Sequence, residues 1–186
     1  MNNLVGVSPK EMLLHGPTKL LVNNYHWHEP KVGIVASYTP NNKDVEDHFG
    51  IFRGVDQIEA FAQGTIGSLN PFLECIKQKC TPTQLKDHFI PAFISIGQVH
   101  FSNYLEEGDT FVSLGIIKFH KFRQMVADGR IYKTPKGLDL NKYFNNFNET
   151  RLREYDLSAD FVLVAELFDI TGRAIKKSPL SPQRGG

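Results

Sequence analysis

The strongest structural signal in this chain is a helical segment, which reads RGVDQIEAFAQGTIGSL over residues 53–69. Its apolar residues recur at the spacing of a helix: Val55, Ile58, Phe61, Ala62, Ile66 and Leu69. The segment is also rich in small residues, and each glycine in a helix costs about 1 kcal/mol relative to alanine. Because small side chains let neighbouring backbone approach closely, we expect this helix to be buried against a sheet.

The flanking sequence predicts one α+β domain over residues 1–175, in which an antiparallel sheet wraps around this helix. A short helix is expected over 11–17, followed by extended chain from Leu20 and a strand over 32–38. Pro71 should break the helix and start a second helical piece over 72–77. Strand patterns then cover 93–101, 110–122, 124–132 and 159–170, with turns expected at 106–109 and 128–129. Residues 133–158 read as an insertion and 176–186 as a disordered tail.

Length and composition exclude several classes of protein. A chain of 186 residues corresponds to one domain. Hydrophobic residues make up 41% and charged residues 22%, with a formal net charge of +1, which excludes a disordered chain and a strongly basic nucleic-acid binder. The sequence contains no long apolar run and no secretory-signal pattern at its start. We therefore expect a cytoplasmic protein with neither a membrane nor a nucleic acid as partner.

Cysteines and histidines give no metal signature. Four residues separate Cys75 from Cys80, and there is no second pair, which is not a zinc pattern, so we expect structural or incidental thiols. His26 and His28 would share one face of a strand, and they read either as a metal site without a third ligand or as a half-exposed strand end with Trp27 in the core. We expect no metal and no cofactor.

Several motifs resemble the β-hydroxyacyl-acyl-carrier-protein dehydratases. Residues 13–23, LLHGPTKLLVN, are similar to the opening of that family, Leu-Leu-Pro-His-Arg-Tyr-Pro-Phe-Leu-Leu-Val-Asp. The run from His48 to Gly50, then Arg53 to Val55 and Ile58 to Gln63, resembles the family's signature, Gly-His-Phe-Pro-Gly, then Pro-Gly-Val, then Ile-Glu-Ala-x-Ala-Gln. The resemblance extends from about Leu13 to Phe168 and implies a hot-dog fold, in which an antiparallel sheet wraps a central helix.

The resemblance also implies a site and a partner. It places His48 of one subunit opposite Glu59 of the other in a homodimer or higher homo-oligomer, acting on an acyl thioester carried by acyl carrier protein or coenzyme A. His48 would be the base for the C2 proton, because imidazole titrates near neutral pH. Glu59 would be the acid if desolvation keeps its carboxyl protonated. The amide of Gly54 would bind the thioester oxygen, Val55 would contact substrate, and Gln63, at i+4, would also orient Glu59.

The sequence departs from the dehydratase pattern between the two proposed catalytic residues. Glu59 follows His48 by eleven positions, three fewer than in the family, and Asp47 and Arg53 replace a glycine and a proline. Two other functions remain open. One is a thioesterase in which Glu59 activates water or attacks the carbonyl and His48 is dispensable. The other is a non-catalytic acyl-binding or assembly subunit.

Two further segments have both a functional and a structural interpretation. Residues 118–123, KFHKFR, alternate cations with aromatic rings, which suits the docking of an acidic carrier protein but is also typical of solvated strand ends. The insertion at 133–158 either covers the substrate entrance, enlarges a dimer interface or decorates the surface.

Overall fold

The computed structural model describes residues 3–13, 15–16 and 19–177. The helices are α1 (Pro9–Met12), α2 (Asn42–Val45), α3 (Gly54–Gly64), α4 (Ile66–Gln78), α5 (Pro82–His88), α6 (Leu140–Phe144) and α7 (Glu149–Glu154). The strands are β1 (Asn24–Glu29), β2 (Gly33–Tyr38), β3 (Ile51–Phe52), β4 (Phe89–Ser95), β5 (Gln98–Phe101), β6 (Leu105–Glu106), β7 (Phe111–Lys121), β8 (Gln124–Lys133) and β9 (Val162–Lys176). The predicted α+β class is confirmed.

Seven strands form one antiparallel sheet in the order β1-β2-β7-β8-β9-β4, with β5 also pairing with β9. Strands β3 and β6 form a separate two-stranded sheet. All six residues of β2 are buried, because both faces of the large sheet are covered. Ile34 and Ala36 face one hydrophobic cluster and Val35 faces another. The last strand, β9, lies inside the sheet, as its apolar sequence predicts.

Helices α3 and α4 lie against the inner face of the sheet. Glycines in the strands allow this close contact: a Cβ on Gly115 would overlap the Thr65 side chain, and one on Gly129 would overlap the Phe61 ring. The helix is interrupted at Thr65, not at Pro71, which lies inside α4. Thr65 has φ −106° and ψ −90°, outside the helical region, and its hydroxyl donates to the carbonyl of Phe61 at 2.7 Å. The predicted break is therefore wrong by about six residues.

The expected insertion covers the outer face of the sheet. Leu140, Phe144 and Leu152, from α6 and α7, are buried, and they form a cluster with Val112 and Leu114 of β7. A Cβ on Gly33 would lie 2.6 Å from Leu152, so the sheet backbone also approaches this cover closely. The segment is thus a second apolar layer, and an entrance or interface role remains a prediction.

Two local expectations in the second half of the chain are wrong. Asp128 and Gly129 lie inside β8 and do not form a turn, since Gly129 supplies space for the Phe61 ring. The reversal between β7 and β8 is made by Phe122 and Arg123, both with positive φ. The expected tail also starts too early, because Lys176 ends β9; residues 178–186 of that prediction lie outside the described residues.

The two histidines of β1 lie on opposite faces of the sheet. A bulge between Tyr25 and Trp27 adds one residue to β1, which changes the alternation of side chains. His26 stacks on Phe144 on the outer side, whereas His28 packs edge-on against Phe72 on the inner side. Both residues are buried, His26 with 7% of its surface exposed and His28 with 4%. The predictions of a shared face and of a half-exposed strand end are therefore wrong.

Candidate active site

A cavity of about 210 Å³ opens between the helix layer and the edge of the large sheet. Helices α3 and α4 form one wall, and strands β4 and β9 form the other. Apolar side chains line most of it, including Ala62, Ile66, Pro71, Ala92 and Phe93. Its polar groups come from His15, Glu59, Gln63, Asn70 and Arg173. An apolar cavity with a few converging polar groups is typical of a small-molecule site.

Glu59 and Gln63 face this cavity from adjacent turns of α3. The Gln63 amide donates to Glu59 Oε1 at 2.8 Å and to the carbonyl of Lys19 at 2.8 Å, and its oxygen accepts from the amide of Leu21 at 2.9 Å. Gln63 is 1% exposed, so its orientation is fixed by three hydrogen bonds. The i+4 contact expected between these two side chains is present. The Glu59 side chain remains 37% exposed, which is less desolvation than the sequence led us to expect.

The imidazole nearest to Glu59 in this chain belongs to His15. Its Nε2 lies 3.5 Å from Glu59 Oε1, and the side chain is 23% exposed. Its Nδ1 is buried and has no hydrogen-bond partner among the described residues. Burial lowers the pKa of His15 below the ordinary 6.5, while the charge of Glu59 opposes this shift. Sequence reasoning missed this contact, because no local spacing connects residue 15 to residue 59.

His48 lies elsewhere, on an exposed turn between α2 and β3. Asp47 and Phe49, on either side of it, have positive φ values of 58° and 57°. Among the described residues, its ring has one hydrogen-bond partner, the carbonyl of Ile51, which lies 3.2 Å from Nδ1, and it packs edge-on against Phe49. His48 is outside the cavity wall, so one chain does not bring it to Glu59. Its approach to the Glu59 of a second subunit remains a prediction.

Gly54 and Val55, at the start of α3, also lie outside the cavity wall. Val55 is 64% exposed. A Cβ on Gly54 would lie 2.9 Å from the ring of Phe101, which is itself 48% exposed. A glycine is therefore needed here so that an aromatic ring can cover the helix start. Binding of a thioester oxygen by the Gly54 amide remains a prediction.

No metal centre is evident in the part of the chain that the structure describes. There, no group of three or more His, Cys, Asp or Glu side chains is arranged to hold an ion. Cys75 and Cys80 are free thiols, and burial raises the pKa of Cys75 to about 12. Nor does any described helix combine the length and apolar character needed to cross a bilayer.

The basic segment at 118–123 is partly neutralised by its neighbours. Lys118 forms ion pairs with Asp128 at 3.1 Å and Asp169 at 2.7 Å. Lys121 lies over the ring of Phe122, which is 76% exposed. The segment is therefore a solvated strand end and hairpin tip. Its docking of an acidic carrier remains a prediction.

No protein-family profile matches the sequence, and no curated protein is significantly similar to it. Solved structures do match. The dehydratase heterocomplex ApeI:P from Xenorhabdus doucetiae superposes with a TM-score of 0.62 and 12% identity, over 92% of this chain and 93% of that one. A hypothetical thioesterase with coenzyme A from Streptococcus pneumoniae TIGR4 superposes with a TM-score of 0.45 and 9% identity, over 84% of this chain and 89% of that one. At such identities the likeness establishes the fold alone, and the chain has the hot-dog fold.

Proposed function

We propose that this chain is a thioester-processing hot-dog enzyme that eliminates water from a 3-hydroxyacyl thioester. The observation that carries the proposal is a carboxyl group, Glu59, held by a fully hydrogen-bonded glutamine at the wall of an apolar cavity. The apolar wall suits an acyl chain, and the carboxyl suits proton transfer to a hydroxyl on it. The dehydratase-like motifs around Glu59 support the same reaction.

In this proposal Glu59 is the acid and an imidazole is the base. The base takes the proton from C2, and the Glu59 carboxyl gives its proton to the hydroxyl on C3. The C3–O bond breaks, water leaves, and a C2–C3 double bond forms. Gln63 keeps the carboxyl turned towards the substrate. The amide of Gly54, at the positive end of α3, would stabilise charge on the thioester oxygen, with Val55 beside it.

A homodimer would complete the part of this site that lies outside the cavity. Strand β4 is at the edge of the sheet, and Ile90, Phe93, Ile94 and Ile96 on and beside it are all at least 43% exposed. An unpaired edge with exposed apolar side chains is suited to pairing with a second chain. The same association would bring the exposed start of α3, and the loop that carries His48, close to a neighbouring subunit.

The substrate is proposed to be linked to acyl carrier protein or to coenzyme A through pantetheine. The exposed side chain of Arg173 lies at the cavity, where its positive charge would attract the phosphate of such a carrier. The cavity of about 210 Å³ within one chain has room for a four-carbon acyl group. A four-carbon substrate is therefore a suitable first test, and longer acyl chains can follow.

A thioesterase is the second candidate. The observation that favours it is the partial exposure of Glu59, because water can reach a carboxylate that is 37% exposed. Glu59 would then activate a water molecule for attack on the thioester carbonyl. The two reactions give different products from the same substrate: an enoyl thioester with the thiol still attached, or a free thiol.

The test is to supply 3-hydroxybutyryl-coenzyme A to the purified protein and measure enoyl absorbance and free thiol in parallel. We expect enoyl formation, and a loss on the order of 10²–10⁴-fold in Glu59→Gln, the range typical of removing a general acid. Glu11→Gln, the same change on an exposed carboxyl of α1, is the matched control. Thiol release without enoyl product would establish the thioesterase instead. If neither product forms, and the substrate linked to acyl carrier protein also gives none, both enzymatic proposals are wrong and the chain is a non-catalytic acyl-binding or assembly subunit.

A further inference from the structure

The imidazole that the structure places at Glu59 is the one the sequence did not single out. His15 enters the cavity wall from the chain segment before β1, whereas Glu59 comes from the second turn of α3. The 3.5 Å between Nε2 and Oε1 is close enough for an ion pair, though long for a direct hydrogen bond. Both side chains belong to one protomer, so the contact needs no second subunit.

The surroundings of His15 differ from those of a structural histidine. His26, which is buried in the outer cluster, has both ring nitrogens bonded, to Asn141 at 2.7 Å and to Ser37 at 2.8 Å. His15 has no such pair, since its Nδ1 is without a partner among the described residues. Leaving a buried polar atom unbonded costs about 1–3 kcal/mol. His28 also has an unbonded nitrogen, Nε2, but its ring packs against Phe72, whereas the ring of His15 lies at the cavity wall beside Glu59.

We propose that His15 is the base of the elimination, and that His15 and Glu59 of the same protomer form the catalytic pair. This inference rests on the proposed function, and it replaces His48 in that role. The chemistry balances: His15 gains the C2 proton, Glu59 gives its proton to the departing hydroxyl, and the C3–O electron pair leaves with the water. The products on the protein are an imidazolium and a carboxylate.

The short separation between the two groups explains how the pair resets. The imidazolium of His15 and the carboxylate of Glu59 face one another at 3.5 Å. Once the two side chains approach to hydrogen-bond distance, one proton transfer restores the starting state. A base supplied by the partner subunit would make this contact only in the assembled dimer. Elimination and resetting would thus occur within one protomer.

Few other charged groups face the pair. Arg173 of β9 and the neutral Asn70 of α4 line the same cavity. Strand β4 contributes Pro91, Ala92 and Phe93, which carry no charge. The starting state holds one proton on the pair, so activity should fall at low pH, where both groups are protonated, and at high pH, where neither is. Because burial lowers the pKa of His15, the acid limb should lie below pH 6.5.

The first experiment compares His15→Gln with His48→Gln in the complete protein, with 3-hydroxybutyryl-coenzyme A as substrate. We expect kcat/KM to fall on the order of 10²-fold or more in His15→Gln, and to change less than about threefold in His48→Gln. Circular dichroism and the urea midpoint check that both variants fold. The reverse ranking, with His48→Gln inactive and His15→Gln active, would overturn the inference while leaving the proposed reaction intact.

A second experiment does not depend on turnover. Imidazole resonances of the wild-type protein are titrated by NMR, with His15 assigned by the signal lost in His15→Gln. Removing the charge in Glu59→Gln should lower the pKa of His15, because Glu59 raises it in the wild type. Adding the inert amide analogue of 3-hydroxybutyryl-pantetheine should shift the His15 signal but not that of His48.

The two experiments separate failure of the inference from failure of the function. If the wild type turns over no thioester but His15 responds to both Glu59→Gln and the analogue, the proposed reaction fails and the ligand-binding pair stands. If His15 responds to neither, the pairing is overturned, whatever the activity. A folding defect in His15→Gln does not affect the wild-type titration.

Discussion

The residues that the sequence placed in one site lie in two regions of the structure: the cavity wall, and the surface around the exposed loop before α3. Glu59 and Gln63 lie at the wall, joined by a hydrogen bond, with His15 beside them. His48 and Val55 lie on the surface, with Val55 64% exposed. Helical spacing therefore determines which side chains of α3 share a face, but it does not determine which imidazole from elsewhere in the chain contacts them.

The phase of α3 explains why the predicted residues divide between these two regions. Ala60 and Phe61 are buried against the sheet, which leaves the neighbouring face, with Glu59 and Gln63, to the cavity. Val55 is one turn before Glu59, where the chain enters the helix from the surface. Residues at the start of a helix and residues one turn into it therefore meet different surroundings.

The largest expected effect would come from combining changes at the cavity wall. If His15 and Glu59 act as one unit, the double variant His15→Gln/Glu59→Gln should be no slower than the worse single variant, about 10³-fold below wild type. His48→Gln combined with Glu59→Gln should add only its own small factor. The measurement is kcat/KM for enoyl formation. Multiplicative losses at His15 and Glu59 would show that they act independently.

The contrast between buried and exposed imidazoles should also appear in the pH dependence of folding. Burial lowers the pKa of His28 to about 4, and its Nδ1 accepts a hydrogen bond from the amide of Leu4 at 3.2 Å. In the unfolded chain the pKa is about 6.5, so the unfolded state binds more protons between these values. The free energy of unfolding should therefore fall as the pH drops from 6.5 to 4, by at most about 3 kcal/mol.

Urea unfolding at several pH values measures this loss. His28→Gln should flatten the slope between pH 6.5 and 4, because the titrating ring is removed. His48→Gln, at an exposed ring, is the matched control and should keep the wild-type slope. A wild-type slope in His28→Gln would assign the acid sensitivity to other groups, of which His15 and His26 also have lowered pKa values.

Substitutions of two glutamines in α3 would compare the stability contributed at the cavity wall, by Gln63, with that contributed at the start of the helix, by Gln57. Gln63→Leu removes three hydrogen bonds and leaves the amide of Leu21 and the carbonyl of Lys19 without this partner, so we expect a loss of about 2–3 kcal/mol in unfolding free energy. Gln57→Leu removes one bond, to the carbonyl of Phe52, and should cost about 1 kcal/mol. Chemical denaturation measures both. Equal losses would contradict the special support that Gln63 gives to the site.

The smallest effect is expected on the exposed loop. Phe49 is 96% exposed, so Phe49→Ser should change the free energy of unfolding by less than about 0.5 kcal/mol within one protomer. If the loop lies in a subunit interface, the same variant should dissociate at a higher protein concentration than wild type. Light scattering during gel filtration follows the dissociation. A marked loss of stability at a concentration where both proteins are monomeric would show that the loop packs within its own chain.

Much of the fold could be predicted from patterns that act over a few residues. The helical spacing from Val55 to Leu69 identifies the central helix, and β-rich runs locate most of the strands. Errors arose where packing overrides local preference. The helix breaks at Thr65, whose side chain packs directly over Gly115. Gly129 lies in a strand because the Phe61 ring occupies the space that a side chain would take.

The amino-acid sequence by itself determined the α+β class, the central helix and the pairing of Glu59 with Gln63, since residues four apart on a helix must be neighbours. The tertiary structure alone decided that His15 meets Glu59. These two residues are forty-four positions apart, and their contact depends on how the first segment folds over α3 and the sheet edge. Local sequence carries no signal for such a contact, because it arises from packing between distant segments.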